Sequence, residues 1–162
     1  MKSKALFTVQ AALIAAVYTA LTLFAGSIGL AGGAIQLRFS EALTILPFFT
    51  PAAIPGLFIG CVLSNILTGC VIWDIIFGSL ATLIGAVFTR LLRKKHYLLA
   101  PVPPIIANTL IIPFVLSYAY GAPESIYFLM LTVGIGEILS CGVLGILLMK
   151  GIEPVKNRLF NN

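Results

Sequence analysis

An all-α integral membrane protein of six transmembrane helices is predicted by three observations. Hydrophobic residues make up 60% of the 162 residues and charged residues only 9%, whereas soluble domains carry roughly 25% charged residues. The mean hydropathy is +1.11. Of the ten Lys and Arg, all but Arg38 gather near Lys2 and Lys4, at Arg90, Arg93, Lys94 and Lys95, and at Lys150, Lys156 and Arg158. These clusters lie between apolar runs, as the positive-inside rule expects of cytoplasmic segments. The net charge of +5 therefore reflects membrane topology, and nucleic-acid binding is not expected.

The elements follow from runs that approach the ~20 residues needed to cross ~30 Å of hydrocarbon. The first, 5–29, is too long for the apolar core of a signal peptide and reads as a retained helix. The second, 41–51, contains Pro47 and Pro51, which interrupt the helical hydrogen-bond ladder, so it is short or kinked. The third, 52–68, carries Gly56 and Gly60, whose spacing lets another helix approach closely. The remaining helices are expected at 73–92, 98–120 and 123–149. Six crossings with both termini cytoplasmic place all three basic clusters on one side of a single domain spanning 1–162.

Buried charge in such a chain points to function, because a charged side chain at the bilayer centre costs roughly 2.5–3.5 kcal/mol even on lenient insertion scales. Glu137 lies about 20 Å into the sixth helix at ~1.5 Å per residue and requires a partner or a polar cavity. Asn108 in the fifth helix and Asn65 in the third are further polar groups at depth, serving either a ligand or an interhelical hydrogen bond. Arg38 and Glu41 follow the glycine-rich stretch that begins at Gly26; that loop could lid an outward pocket, or the pair could anchor a helix end at the headgroups. Trp73 and Asp74 open the fourth helix. The helix dipole and the interfacial aromatic belt account for both, and facing a pocket they would supply a stacking surface and an acceptor. Tyr118, Tyr120 and Tyr127 are belt residues or pocket rim.

Other chemistries lack their residues. No nucleotide-cradling glycine loop, metalloprotease motif or nucleophile elbow occurs. Cys61, Cys70 and Cys141 have no metal-ligand spacing and read as free thiols, and His96 as a solvated loop residue. No catalytic residue, metal or cofactor is expected. Without an ATP-hydrolysing motif or a clear inverted repeat, a small binding subunit energised by partners is the expected role. Ala12, Ala16 and Ala20 form a smooth ridge on the first helix that suits a partner or internal packing.

The alanine ridge after a basic N-terminus, the stretch Ile35-Gln36-Leu37-Arg38-Phe39-Ser40-Glu41-Ala42-Leu43-Thr44-Ile45-Leu46-Pro47, and Trp73-Asp74-Ile75-Ile76-Phe77-Gly78-Ser79-Leu80-Ala81-Thr82 resemble the QueT family. These are S components of energy-coupling factor (ECF) importers for queuosine precursors. The resemblance covers essentially the whole chain. It implies a prokaryotic plasma-membrane location, a binding site near the outer side beneath the loop after helix one, and a complex with a transmembrane coupling protein and two ATPase subunits. By the same resemblance Ala12, Ala16 and Ala20 contact the coupling protein.

A 7-deazaguanine is flat, with ring donors suited to carboxylate or amide acceptors. Arg38, Glu41, Asn65, Trp73, Asp74, Asn108 and Glu137 are the candidate substrate-binding residues. The same groups could bind another heterocyclic vitamin, and a stand-alone proton-coupled carrier using Glu137 is the rival reading.

Overall fold

A computed structural model of the chain describes residues 4–29 and 37–160. Lys2 and residues 30–36, which include most of the glycine-rich loop expected to act as a lid, lie outside the described residues. The described chain is helical, with no strand. Helix α1 spans Lys4–Ser27, α2 Ala53–Leu67, α3 Ile72–Leu91 and α4 Val102–Tyr118. Helices α5 (Ile126–Glu137) and α6 (Gly145–Ile152) are joined by a π-helical stretch, Ile138–Leu144, and the short α7 (Lys156–Phe160) follows. Four helices are long and apolar enough to cross a membrane: Lys4–Ser27, Ile72–Lys94, Tyr97–Tyr118 and Ile126–Val155. Two shorter apolar helices, Phe39–Phe48 and Ala53–Leu67, complete the set of six.

The segment expected to be short or kinked is a 3-10 helix, Phe39–Phe48. At ~2.0 Å per residue its length is about 20 Å. Pro47 lies inside it without an N–H to donate, and Ser40 through Pro47 are all buried. Its final carbonyls would be orphaned in apolar surroundings, and the Arg90 guanidinium answers them. Arg90 Nη1 donates to Pro47 O at 3.1 Å and Phe48 O at 3.3 Å, a cation at the negative end of a helix.

Lipid tails are as apolar as leucine, so helices in a bilayer associate through close packing and interhelical polar contacts rather than hydrophobic exclusion. The Gly56/Gly60 spacing creates such packing. A Cβ on Gly56 would lie 2.7 Å from Ala11 O, and one on Gly60 2.9 Å from Tyr18 Cβ. Ala15 is buried in this contact, whereas Ala12, Ala16 and Ala20 remain exposed on the opposite face of α1. Gly60→Val is expected to destabilise the detergent-solubilised protein by about 1–3 kcal/mol, the usual cost of overpacking. A thermal-unfolding comparison with wild type tests this; an unchanged midpoint would show that the α1–α2 contact can yield.

The first turns of α1 and the end of α7 lie at the same end of the bundle. Gln10 Nε2 of α1 donates to Leu159 O at 3.0 Å, and Thr50 Oγ1 donates to Gln10 Oε1 at 3.1 Å. Opposite them, Gly69 and Gly121 make the turns after α2 and α4 with φ of +72° and +66°, a backbone region that favours glycine.

Candidate functional site

Where α1, α2 and α4 end and α3 begins, the chain encloses a cavity of about 370 Å³. Thr22, Ala25 and Gly26 line it from α1, Asn65 and Thr68 from the end of α2, Asp74 from α3, and Ile112 and Leu116 from α4. Arg38, Cys70 and Tyr120 complete the wall. Three of the seven candidate substrate-binding residues, Arg38, Asn65 and Asp74, therefore meet around one space, with Tyr120 at its wall.

Each polar wall group is oriented by its neighbours. Asp74 is in the first turn of α3, where a carboxylate complements the helix dipole. Its Oδ2 accepts a hydrogen bond from Tyr120 OH at 3.0 Å, and its backbone carbonyl accepts one from Asn65 Nδ2 at 3.3 Å. Gly78 leaves room for this arrangement, since a Cβ there would lie 3.1 Å from Asp74 Oδ1 and 3.4 Å from Asn65 Nδ2. Burial, reinforced by Cys70 and Asp74, pushes the Tyr120 phenol above its ordinary pKa, so the hydroxyl keeps its proton as a donor.

Arg38 enters from extended backbone, φ −112° and ψ 106°. Its N–H donates to Ser140 Oγ of the π-helical stretch at 3.2 Å. Among the described residues, no carboxylate lies within 4 Å of its guanidinium. Asp74 and Glu41 act on it only through longer-range attraction. The cavity thus holds a guanidinium and a carboxylate that do not neutralise each other by direct contact.

A second polar layer lies beneath. Thr22 Oγ1 donates to Ser40 Oγ at 2.8 Å. One helical turn further down α1, about 6 Å, Tyr18 OH donates to Glu41 Oε1 at 2.5 Å. Glu41 Oε2 is buried with no hydrogen-bond partner among the described residues. The Cys141 thiol donates to Glu137 Oε2 at 3.1 Å, and the Glu41 carbonyl lies 3.4 Å from the same sulfur. Ligating atoms of Glu41, Glu137 and Cys141 all fall within 4.8 Å of one another, and the buried Asn108 amide acts on both carboxyl groups. The π-helix begins immediately after Glu137 and presents Ser140 to Arg38 and Cys141 to Glu137; π-helical turns frequently occur at functional sites.

Trp73 lies elsewhere. It is 55% exposed and stacks on Phe77 with ring centroids 6.1 Å apart, in a separate apolar groove between α3 and α4 that also includes Tyr118. Tyr118 and Tyr127 are still more exposed, at 79% and 85%. All three cysteines are free.

The pattern that defines the QueT transporter family matches residues 8–154. The chain belongs to the QueT transporter family. A queuosine precursor transporter QueT of Lactococcus lactis subsp. cremoris (strain MG1363) is 40% identical over 83 residues, which is 51% of this chain and 48% of that protein. The match therefore spans about half the length of this curated QueT relative. No solved structure matches.

Membership of a transporter family agrees with the four helices that are long and apolar enough to cross a membrane. Tyr18, Thr22, Ser140 and Cys141 are site residues that sequence reasoning missed. The spacing of Tyr18 and Thr22, four apart in α1, and of Cys141, four after Glu137, could have shown that each pair shares a helix face.

Proposed function

We propose that this QueT-family protein is the substrate-binding S component of an ECF-type importer, crossing the prokaryotic plasma membrane six times with both termini cytoplasmic. Its substrate is a queuosine precursor of the 7-deazaguanine type, held in the cavity between Arg38 and Asp74. The observation that carries this reading is that these opposite charges face one small space without a direct ion pair.

A deazaguanine offers complementary groups on one edge: a ring carbonyl that accepts and neighbouring N–H groups that donate. Arg38 donates to the carbonyl, Asp74 accepts from ring or amino hydrogens, and Asn65 and Tyr120 fix the orientation. Glu41, Asn108 and Glu137 form the polar layer beneath and are reached by a cationic substituent on the ligand. At about 370 Å³ the cavity lies near the lower end of ligand sites, which run ~300–1,000 Å³, as suits a small heterocycle. In this reading Trp73 belongs to the interfacial aromatic belt. The exposed Ala12, Ala16 and Ala20 face admits the coupling protein, and two ATPase subunits supply the energy.

The buried Glu41–Glu137 pair favours a second reading, a stand-alone proton-coupled carrier, because carboxyl groups at membrane depth commonly serve proton relays. Two measurements separate the readings. Calorimetric titration of the purified chain with 7-aminomethyl-7-deazaguanine, guanine and a B vitamin is expected to show tightest binding of the deazaguanine. Vesicles containing the chain are expected to accumulate it only when the coupling protein and ATPases are present. Binding of the vitamin alone would reassign the substrate, and pH-driven uptake by the chain alone would establish the carrier.

A further inference from the structure

A second hollow, about 740 Å³, lies at the opposite end of the bundle and takes no part in the proposed import site. Its floor is apolar. Phe49 stacks on Phe160 with centroids 5.8 Å apart and planes within 9°, Phe48 meets Phe49 edge-on at 5.8 Å, and Met149 is buried beside them.

Its rim is cationic. Arg93, Lys95 and Lys150 are exposed along it, together with Lys156. The lining's one acidic residue, Glu153, is ion-paired with Lys156, so among the described residues Arg93, Lys95 and Lys150 have no carboxylate counterpart in the groove.

An aromatic floor beneath a cationic rim complements a ligand that is anionic at one end and apolar at the other. A free anion would leave the floor unused, and a cationic ligand would be repelled by the rim. The groove also lies where the apolar spans ending at Lys94 and Val155 stop and the one starting at Tyr97 begins, and basic pockets at the ends of membrane helices attract anionic lipids.

We propose that this groove seats an anionic phospholipid, with its phosphate among Arg93, Lys95 and Lys150 and an acyl chain along Phe48, Phe49 and Phe160. Long basic side chains can reach headgroup level while their stems cover apolar surface.

The test uses the full chain in neutral detergent, titrated with phosphatidylglycerol or phosphatidylcholine at equal mole fraction, or with inorganic phosphate. Thermal midpoint and lipid retained in native mass spectrometry are the readouts. Phosphatidylglycerol is expected to raise the midpoint and to be retained over phosphatidylcholine. Each charge removed from the groove itself is expected to lower its affinity about fivefold, so Arg93→Gln/Lys150→Gln loses about 25-fold. Lys94→Gln, a neighbouring cation outside the groove, retains the preference.

Equal stabilisation by both lipids, an unaltered preference in the double variant, or an equal effect of inorganic phosphate alone would overturn the proposal. Should the double variant fail to fold, Lys95→Gln provides the same comparison, with a fivefold loss supporting the seat and no loss rejecting it.

Discussion

Replacing Arg38 by Met is expected to weaken binding of a 7-deazaguanine ligand about 100-fold while leaving the ligand-free protein's thermal midpoint nearly unchanged. A hydrogen bond from a charged donor contributes about 1.5–3 kcal/mol, and about 2.7 kcal/mol corresponds to 100-fold in affinity. The loss falls in the upper part of that range because the cavity is partly enclosed and the guest's carbonyl would be left without its donor.

Stability should be spared for a separate reason. The guanidinium has no carboxylate within 4 Å among the described residues, and the interaction that fixes Arg38 to the last helix is made by its backbone N–H. Calorimetric titration and thermal unfolding of the same preparation decide the matter. Undiminished affinity would remove Arg38 from the binding site, and a large drop in midpoint would make it structural.

The legible part of this molecule was what depends on composition and spacing. Six apolar helices follow from hydropathy, and the Gly56/Gly60 close approach to α1 follows from two glycines one turn apart. Helix phase was less accessible, because adjacent residues point about 100° apart around an α-helix. Asp74 and Trp73 illustrate this: sequence neighbours, yet Asp74 lines the cavity and Trp73 faces the outer groove.

Contacts across the bundle were also hidden. Tyr18 and Glu41 are joined by packing over 23 positions, and Arg38 and Ser140 over 102. Pro47 signalled an irregular second segment but could not specify a ten-residue 3-10 helix. The π-helical stretch after Glu137 has no proline to mark it. Next to it, α6 packs closely on the 3-10 segment at Gly145, where a Cβ would lie 3.1 Å from Ile45 Cγ2.

Glu137→Met tests whether the deep carboxyl layer serves substrate or scaffold. Methionine has a similar length and no polar atom requiring satisfaction, so it removes the cost of burying a polar group in apolar surroundings. At membrane depth the relief is larger, since no water is at hand to complete the hydrogen bonding of a carboxyl group. The Cys141 thiol and the Asn108 amide lose their acceptor on Glu137, but the Glu41 carbonyl remains 3.4 Å from the Cys141 sulfur and the Glu41 carboxyl remains beside Asn108. The variant is therefore expected to hold or raise its thermal midpoint while binding a cationic deazaguanine at least tenfold more weakly. A scaffold role predicts the reverse: leaving the buried Cys141 and Asn108 donors without their acceptor costs about 1–3 kcal/mol each, so the midpoint would fall and affinity among the remaining folded molecules would persist. Retention of a carboxyl group that weakens the fold is explicable when transport requires it, because functional sites commonly hold groups that stability alone would discard.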